Sequence, residues 1–238
     1  MCNRIVFAIC LIVFSVLPAW AEDGLFQKPE RAATVVDPWH RKLDPLWQRV
    51  LQAQTAAPGF TPGGENFGPV DRPTWKNMVA QAKQSQEQDV LRMVNGYFNQ
   101  WRPQSDQNAW DSPEYWASPK EFILKRGGDC EDYAIAKYFA LRFLGVPADR
   151  MRIVAVKRFD EAGTQASEMH AVLAVHTAKT WFILDNNARP KNNIFPHTQY
   201  KGRFDPVYSM NEGGAWVHGD ATSSSGPAKQ ADAFEFPK

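Results

Sequence analysis

Three cysteines, one unit of net charge and a single long apolar run are all this 238-residue chain has of features that commonly reveal a protein's class. The cysteines are Cys2, Cys10 and Cys130. With two of them in the first ten residues, a disulfide scaffold is excluded. Lys and Arg total 27 against 26 Asp and Glu, a formal charge of +1. That leaves neither a basic footprint for nucleic acid nor a bias towards an anionic membrane. No C-x-x-C and no H-x-x-x-H occurs, so a zinc site has no support. No internal repeat is visible. What is present is an ordinary globular composition, 44% hydrophobic and 22% charged, long enough for one sizeable core.

The apolar run lies at the N-terminus, from Ile5 to Leu17, after the lone charge Arg4. It is too short to span a bilayer and fits a secretory h-region. Ala19-Trp20-Ala21 then supplies a small-x-small cleavage pattern. Residues 1–21 are therefore expected to be a signal peptide, 22–220 one domain, and the Ser-, Ala- and Pro-rich stretch 221–238 a flexible tail. No membrane insertion is expected after cleavage. The mature chain keeps one thiol, Cys130. Exported compartments favour disulfides, so a lone thiol there calls for a reason.

Residues 22–38 read as an extended arm. Leu43, Leu46, Trp47, Val50 and Leu51 fall on one face of a helix over 40–54. Four Pro and four Gly make 57–73 a loop. A long helix is expected over 73–101, its polar stretch 84–88 facing solvent. Ser118-Pro119-Lys120-Glu121 starts another helix with a capping box, stopped by Gly127-Gly128. From Cys130 to Leu144 apolar residues cover nearly every face, the mark of a core helix. Strands are expected at 151–158, 169–176 and 180–185, the last two as a hairpin through Thr177-Ala178-Lys179. Helices followed by an antiparallel sheet make an α+β fold.

Cys130 sits at the first turn of that core helix, where the dipole favours a thiolate. A thiol nucleophile needs a base, and the base an orienting group. Of the five histidines, His170 opens one strand, and Asp185 ends the next. Paired antiparallel strands bring those two positions to one sheet edge. Cys130, His170 and Asp185 thus form a candidate catalytic set of papain-like logic. His176 lies at the far strand end and is the poorer base. Asp129, Glu131 and Asp132 crowd the nucleophile. Two readings stand side by side. Asp129 and Asp132 can cap the helix while Glu131 complements its dipole. Alternatively the three carboxylates, which raise the pKa of a neighbouring thiol, hold a Ca²⁺ ion.

Gly127-Gly128-Asp129-Cys130-Glu131-Asp132-Tyr133-Ala134 with Lys137, Leu141 and Gly145-Val146-Pro147 resembles the bacterial transglutaminase-like cysteine proteinases of the LapG type. Residues 115–122, His170-Ala171-Val172-Leu173, Leu184-Asp185-Asn186, Tyr208-Ser209-Met210-Asn211 and Trp216 extend the likeness over about 90–217. The resemblance implies a papain-like, transglutaminase-like fold with N-terminal helices packed on an antiparallel sheet. It implies a Cys130–His170–Asp185 triad and a Ca²⁺ site on Asp129, Glu131 and Asp132. By analogy with transglutaminases, Trp116 is the second oxyanion donor beside the Cys130 N–H. It further implies a periplasmic protease that cleaves a large surface adhesin near paired alanines, releasing it and dispersing biofilm. An inner-membrane receptor for cyclic-di-GMP would sequester the enzyme. The competing readings are a crosslinking transglutaminase, a cell-wall amidase with the same triad, and a non-catalytic binding module.

Overall fold

The computed structural model describes residues 25–56, 75–159 and 166–219. The expected signal peptide, the loop 57–73 and the tail 221–238 lie outside the described residues. The elements are β1 (Glu30–Ala32), α1 (Pro38–Ala56), α2 (Trp75–Ala82), α3 (Glu87–Asn99), β2 (Arg102–Pro103), α4 (Asp106–Trp110), α5 (Pro119–Lys125), β3 (Gly127–Gly128) and α6 (Cys130–Phe143). Then follow β4 (Met151–Phe159), β5 (Ala166–His176), β6 (Trp181–Leu184), β7 (Phe195–Pro196), β8 (Phe204–Asn211) and β9 (Gly214–His218).

Apart from β1, the helices come first and the antiparallel sheet second, as the pattern predicts. The seven-stranded sheet has the order β1-β9-β8-β4-β5-β6-β7, and every neighbouring pair is antiparallel. Both faces are covered, which the period-2 pattern of the strands records. Ile153, Ala155, Leu173, Val175, Phe182 and Leu184 enter the main core under the helices. Their neighbours Val154, Val156, Val172, Ala174, Trp181 and Ile183 enter a second core with Leu25, Phe26, Tyr200 and Phe204. Helix α6 lies in the middle: every residue from Cys130 to Leu141 is buried. Trp47 of α1 stacks on its Phe139 and meets Tyr138 edge-on.

Several expectations are corrected. The single helix over 73–101 is two. The apolar stripe Trp75, Met78, Ala82 would continue at positions occupied by Ser85, Gln86 and Asp89, and it restarts out of phase at Leu91 and Val94. The chain turns at 83–86 to absorb the shift. Helix α5 has its capping box, Ser118 and Glu121 each satisfying the other's backbone. It ends not on a glycine but on Arg126 in the left-handed region, φ 59°. The glycines instead pair in parallel with β2. A Cβ on Gly127 would lie 2.1 Å from the Arg102 carbonyl oxygen, and one on Gly128 would meet the Asp132 carboxylate. The arm 22–38 contributes a sheet strand, β1, and the first residue of α1. Strands β8 and β9 were not anticipated. No helix among the described residues is long and apolar enough to cross a membrane.

Candidate active site

The capping box of α5 and the β2–β3 pairing fix the chain entering α6, and so fix Cys130 at its first turn. The helix packs against β5, whose His170 pairs across the sheet with Val156. Strand β5 begins at Ala166, earlier than expected. His170 still stands at an edge, because β6 pairs with β5 only from Leu173 to His176. Asp185 follows β6 directly. His170 Nε2 and Asp185 Oδ1 lie 2.9 Å apart, and both side chains are buried. The same Oδ1 accepts the Asn187 N–H at 2.8 Å, and Asn99 Nδ2 donates to the Asp185 carbonyl at 2.8 Å. Burial raises the Asp185 pKa, but His170, the Asn187 N–H and Lys137 outweigh it and hold the carboxyl below its usual range.

Cys130 and His170 line one open cleft of about 420 Å³, with Gln104, Arg158, Glu168 and Asn186 around them. Nε2 being engaged by Asp185, Nδ1 is the ring nitrogen that does not take part in that contact. The other histidines are engaged elsewhere. His40 binds the Tyr208 hydroxyl, His197 accepts the Phe26 N–H, His218 meets Ser209, and His176 packs on Trp181 at the far strand end.

The thiol donates to Glu131 Oε2 at 3.2 Å. Its pKa stands well above the ordinary value. Burial is the first cause and the charges of Glu131 and Asp129 the next; the Ala171 backbone N–H acts the other way. The helix dipole alone does not yield a thiolate here, because burial and then the carboxylates oppose it.

Those carboxylates decide between capping and cation binding. Asp129 occupies the N-cap position, yet its side chain makes no capping bond. One oxygen each of Asp106, Asp129 and Glu131 lies within 4.8 Å of the others. Asp106 Oδ1, Asp129 Oδ1 and Glu131 Oε1 are all buried without a hydrogen-bond partner. Burial, then neighbouring acids, push Asp129 up to about 7 and Glu131 well above its range. Converging buried oxygens with no donor fit a hard divalent cation. Asp132 lies outside this trio, although its Oδ2 too is buried without a hydrogen-bond partner. Its Oδ1 accepts the Ala117 N–H at 2.6 Å, the role of a residue that ties α5 to α6. Asp106 was missed from sequence because it lies 23 residues before Asp129, at the start of α4, with no local motif around it.

Trp116 is buried, and its indole N–H donates to Glu114 Oε1 at 3.3 Å. It does not line the cleft, so the indole is committed elsewhere in this state. The Cys130 N–H, in the first helical turn, has no intrahelical acceptor.

The family model of the bacterial transglutaminase-like cysteine proteinase (BTLCP) matches residues 72–223. Among solved structures, calcium-bound LapG of Legionella pneumophila is 34% identical, covering 64% of this chain and 82% of that one at a TM-score of 0.51. The EGTA-treated form of that protein is 35% identical, covering 63% and 81% at a TM-score of 0.50. Comparison with curated proteins gave no match. With its mixed helical and antiparallel architecture, the fold is transglutaminase-like, and the chain belongs to the bacterial transglutaminase-like cysteine proteinases.

Proposed function

We propose that the protein is a calcium-dependent cysteine endopeptidase acting through Cys130, His170 and Asp185. The observation that carries the reading is the 2.9 Å His170–Asp185 contact in the cleft that also holds Cys130. His170 Nδ1 takes the thiol proton, and Asp185 holds the ring and balances the imidazolium. The thiolate adds to a peptide carbonyl, whose oxyanion accepts the Cys130 N–H. Nδ1 returns the proton to the departing amine, leaving a thioester on Cys130. His170 then activates water, and hydrolysis of the thioester restores the thiol.

Asp106, Asp129 and Glu131 would hold Ca²⁺, supported by their orphaned oxygens and by the calcium-bound relative. When bound, the ion supplies positive charge that neutralises the acids beside the nucleophile. The Asp129 and Glu131 charges that oppose the thiolate would then be offset.

The family resemblance extends the reading to substrate and control. The substrate would be the N-terminal region of a large surface adhesin, cleaved in the periplasm to promote biofilm dispersal. The regulator would be an inner-membrane cyclic-di-GMP receptor. Incubating the Ca²⁺-loaded protein with an adhesin N-terminal fragment tests this. The wild type should give two discrete products, and the C130A variant none while keeping the wild-type circular dichroism spectrum. Full cleavage by C130A would overturn the triad. Incorporation of an added amine without cleavage would make the protein a crosslinking enzyme.

A further inference from the structure

Asn95, Gly96 and Asn99 suit a helix poorly, yet all three belong to α3. Their spacing puts them on one side of it, and that side meets residues 185–194, which carry no helix or strand. A Cβ on Gly96 would lie 2.9 Å from the Asn192 Cβ, so the glycine lets the chain come this close. Both asparagines are buried. Asn95 Nδ2 donates to the Asn193 carbonyl at 2.7 Å and, at 3.4 Å, to that of Lys191. Asn99 Nδ2 donates to the carbonyls of Lys191 and Asp185, both at 2.8 Å. A side-chain amide has two N–H bonds, and Asn99 directs one at each of these carbonyls. The Oδ1 atoms of both asparagines are buried without a hydrogen-bond partner, so each meets the loop as a donor only.

Asp185 stands one residue past β6, and the pairing of β6 with β5 and β7 stops at or before Leu184. The Asn187 N–H on Oδ1, and the Ala188 N–H on the Asp185 carbonyl at 3.3 Å, are bonds within the loop and move with it. The Asn99 bond comes from another layer. Helix α3 is in turn tied to the helix that carries the nucleophile. The hydroxyl of Tyr133, one turn after Cys130, donates to the Trp101 carbonyl at 2.8 Å. Phe98 meets Phe122 edge-on, and Phe122 meets Tyr133 in the same way. Cys130 is thus set by the helical layer, and His170 and Asp185 by the sheet edge. Their geometry holds only while the two layers keep register. We propose that Asn99 is a positioning residue of the proteolytic site: its amide fastens the Asp185 backbone to the helical layer, and so keeps the carboxylate on His170 Nε2 and the ring in the cleft with Cys130. The inference rests on the triad reading above. Asn99 itself does not line the cleft.

The test uses the full chain loaded with Ca²⁺ and the variants C130A, H170A, N95A, N99A and N99S. N95A is the control: it removes two bonds to the same loop but none to Asp185. In N99S the hydroxyl is too short to bridge both carbonyls, and this variant stands in if N99A does not fold. The rate of Cys130 alkylation by iodoacetamide reports the activated thiol, with C130A as background. The downfield imidazole N–H resonance that H170A lacks reports the His170–Asp185 hydrogen bond. H170A should lose most of the alkylation rate. N95A and N99A should both lower Tm, because each leaves buried carbonyls unpaired. Only the Asn99 variants should lose reactivity, roughly tenfold or more, as a misplaced catalytic group does, and only they should shift or broaden the resonance. N95A should react like wild type. A merely structural Asn99 would lower Tm and leave reactivity and resonance unmoved. That result, equal losses in N95A and N99A, or failure of both N99A and N99S to fold would each overturn the proposal. Loss in H170A beside wild-type reactivity in N99A would overturn it alone. An H170A protein that reacts like wild type would overturn the Cys130–His170 pairing, and this proposal with it.

Discussion

A buried histidine outside the cleft shows how a residue's environment links this fold to pH. His218 of β9 lies buried, with Nε2 on Ser209 Oγ at 2.8 Å. Glu30 Oε2 lies 3.6 Å from its Nδ1, which would favour the charged ring. Burial, Arg152 and Lys28 outweigh it and lower the His218 pKa to about 3. Between that value and the ordinary 6.5 the unfolded chain binds a proton that the folded chain does not. The contribution of His218 to stability is therefore full above about pH 6.5 and is lost as pH falls towards 3, at no more than about 1.4 kcal/mol per pH unit. Urea unfolding of wild type and H218Q at pH 7, 5.5 and 4 checks this. The variant should lose less stability than wild type over that range, and equal slopes would show that His218 already titrates normally. The catalytic candidates differ in how openly the sequence displays them. Cys130 was legible because it is the one cysteine beyond residue 10. His170 and Asp185 were legible because a hairpin aligns strand ends. Asp106 was not, since an acid in a polar stretch acquires meaning only from what surrounds it.

Among the elements, the α5–β3–α6 junction leaves little room for change. Ser118 and Glu121 close a capping box, and Glu121 is also held by Arg49 at 2.9 Å and by Tyr115 at 2.7 Å. Removing the cap hydroxyl in S118A should cost about 1 kcal/mol, with cleavage retained. G128A should cost about 1–3 kcal/mol and should also lower activity. Its Cβ would fall within 2.2–2.8 Å of the Asp132 carboxylate and so displace the start of α6. Urea unfolding with a parallel activity assay separates the two variants; a fully active G128A would show that the junction can yield. The capping box, the core helix and the central hairpin were readable from local chemistry and period. The strand β8 was not, because Pro206 argues against a central strand. The structure accommodates it at a register shift, where Ala155 pairs with Tyr208 and Val156 with Pro206. A bulge of this kind frees the proline from donating to the ladder. The break between α2 and α3 was hidden because glutamines suit a helix well, so only the phase of the apolar stripe betrays it.

At the scale of the molecule, the acidic trio joins two stretches of chain that only the fold brings together. Asp106 opens α4, while Asp129 and Glu131 flank the nucleophile, and the β2–β3 pairing holds the two stretches side by side. Asp106 Oδ2 also accepts the Tyr115 N–H at 2.6 Å, so the loop before α5 belongs to the same unit. A cation bound there ties these segments in the folded state and has no equivalent site in the unfolded chain. It must therefore raise stability by mass action, by about 2.7 kcal/mol at a hundred times its dissociation constant. For a domain of this size that corresponds to a Tm rise of roughly 5–10 °C. Thermal unfolding with EGTA and with increasing Ca²⁺ should show a saturable upward shift in the wild type. D106N should abolish the shift, because it removes a charged oxygen from the trio. D132N should keep it, because Asn can still accept the Ala117 N–H that Asp132 accepts now. Loss of the shift in D132N with retention in D106N would return the site to Asp129, Glu131 and Asp132, the set clustered in sequence. No shift in the wild type would leave three buried carboxylates without a counter-charge and would remove the ion from the proposed mechanism.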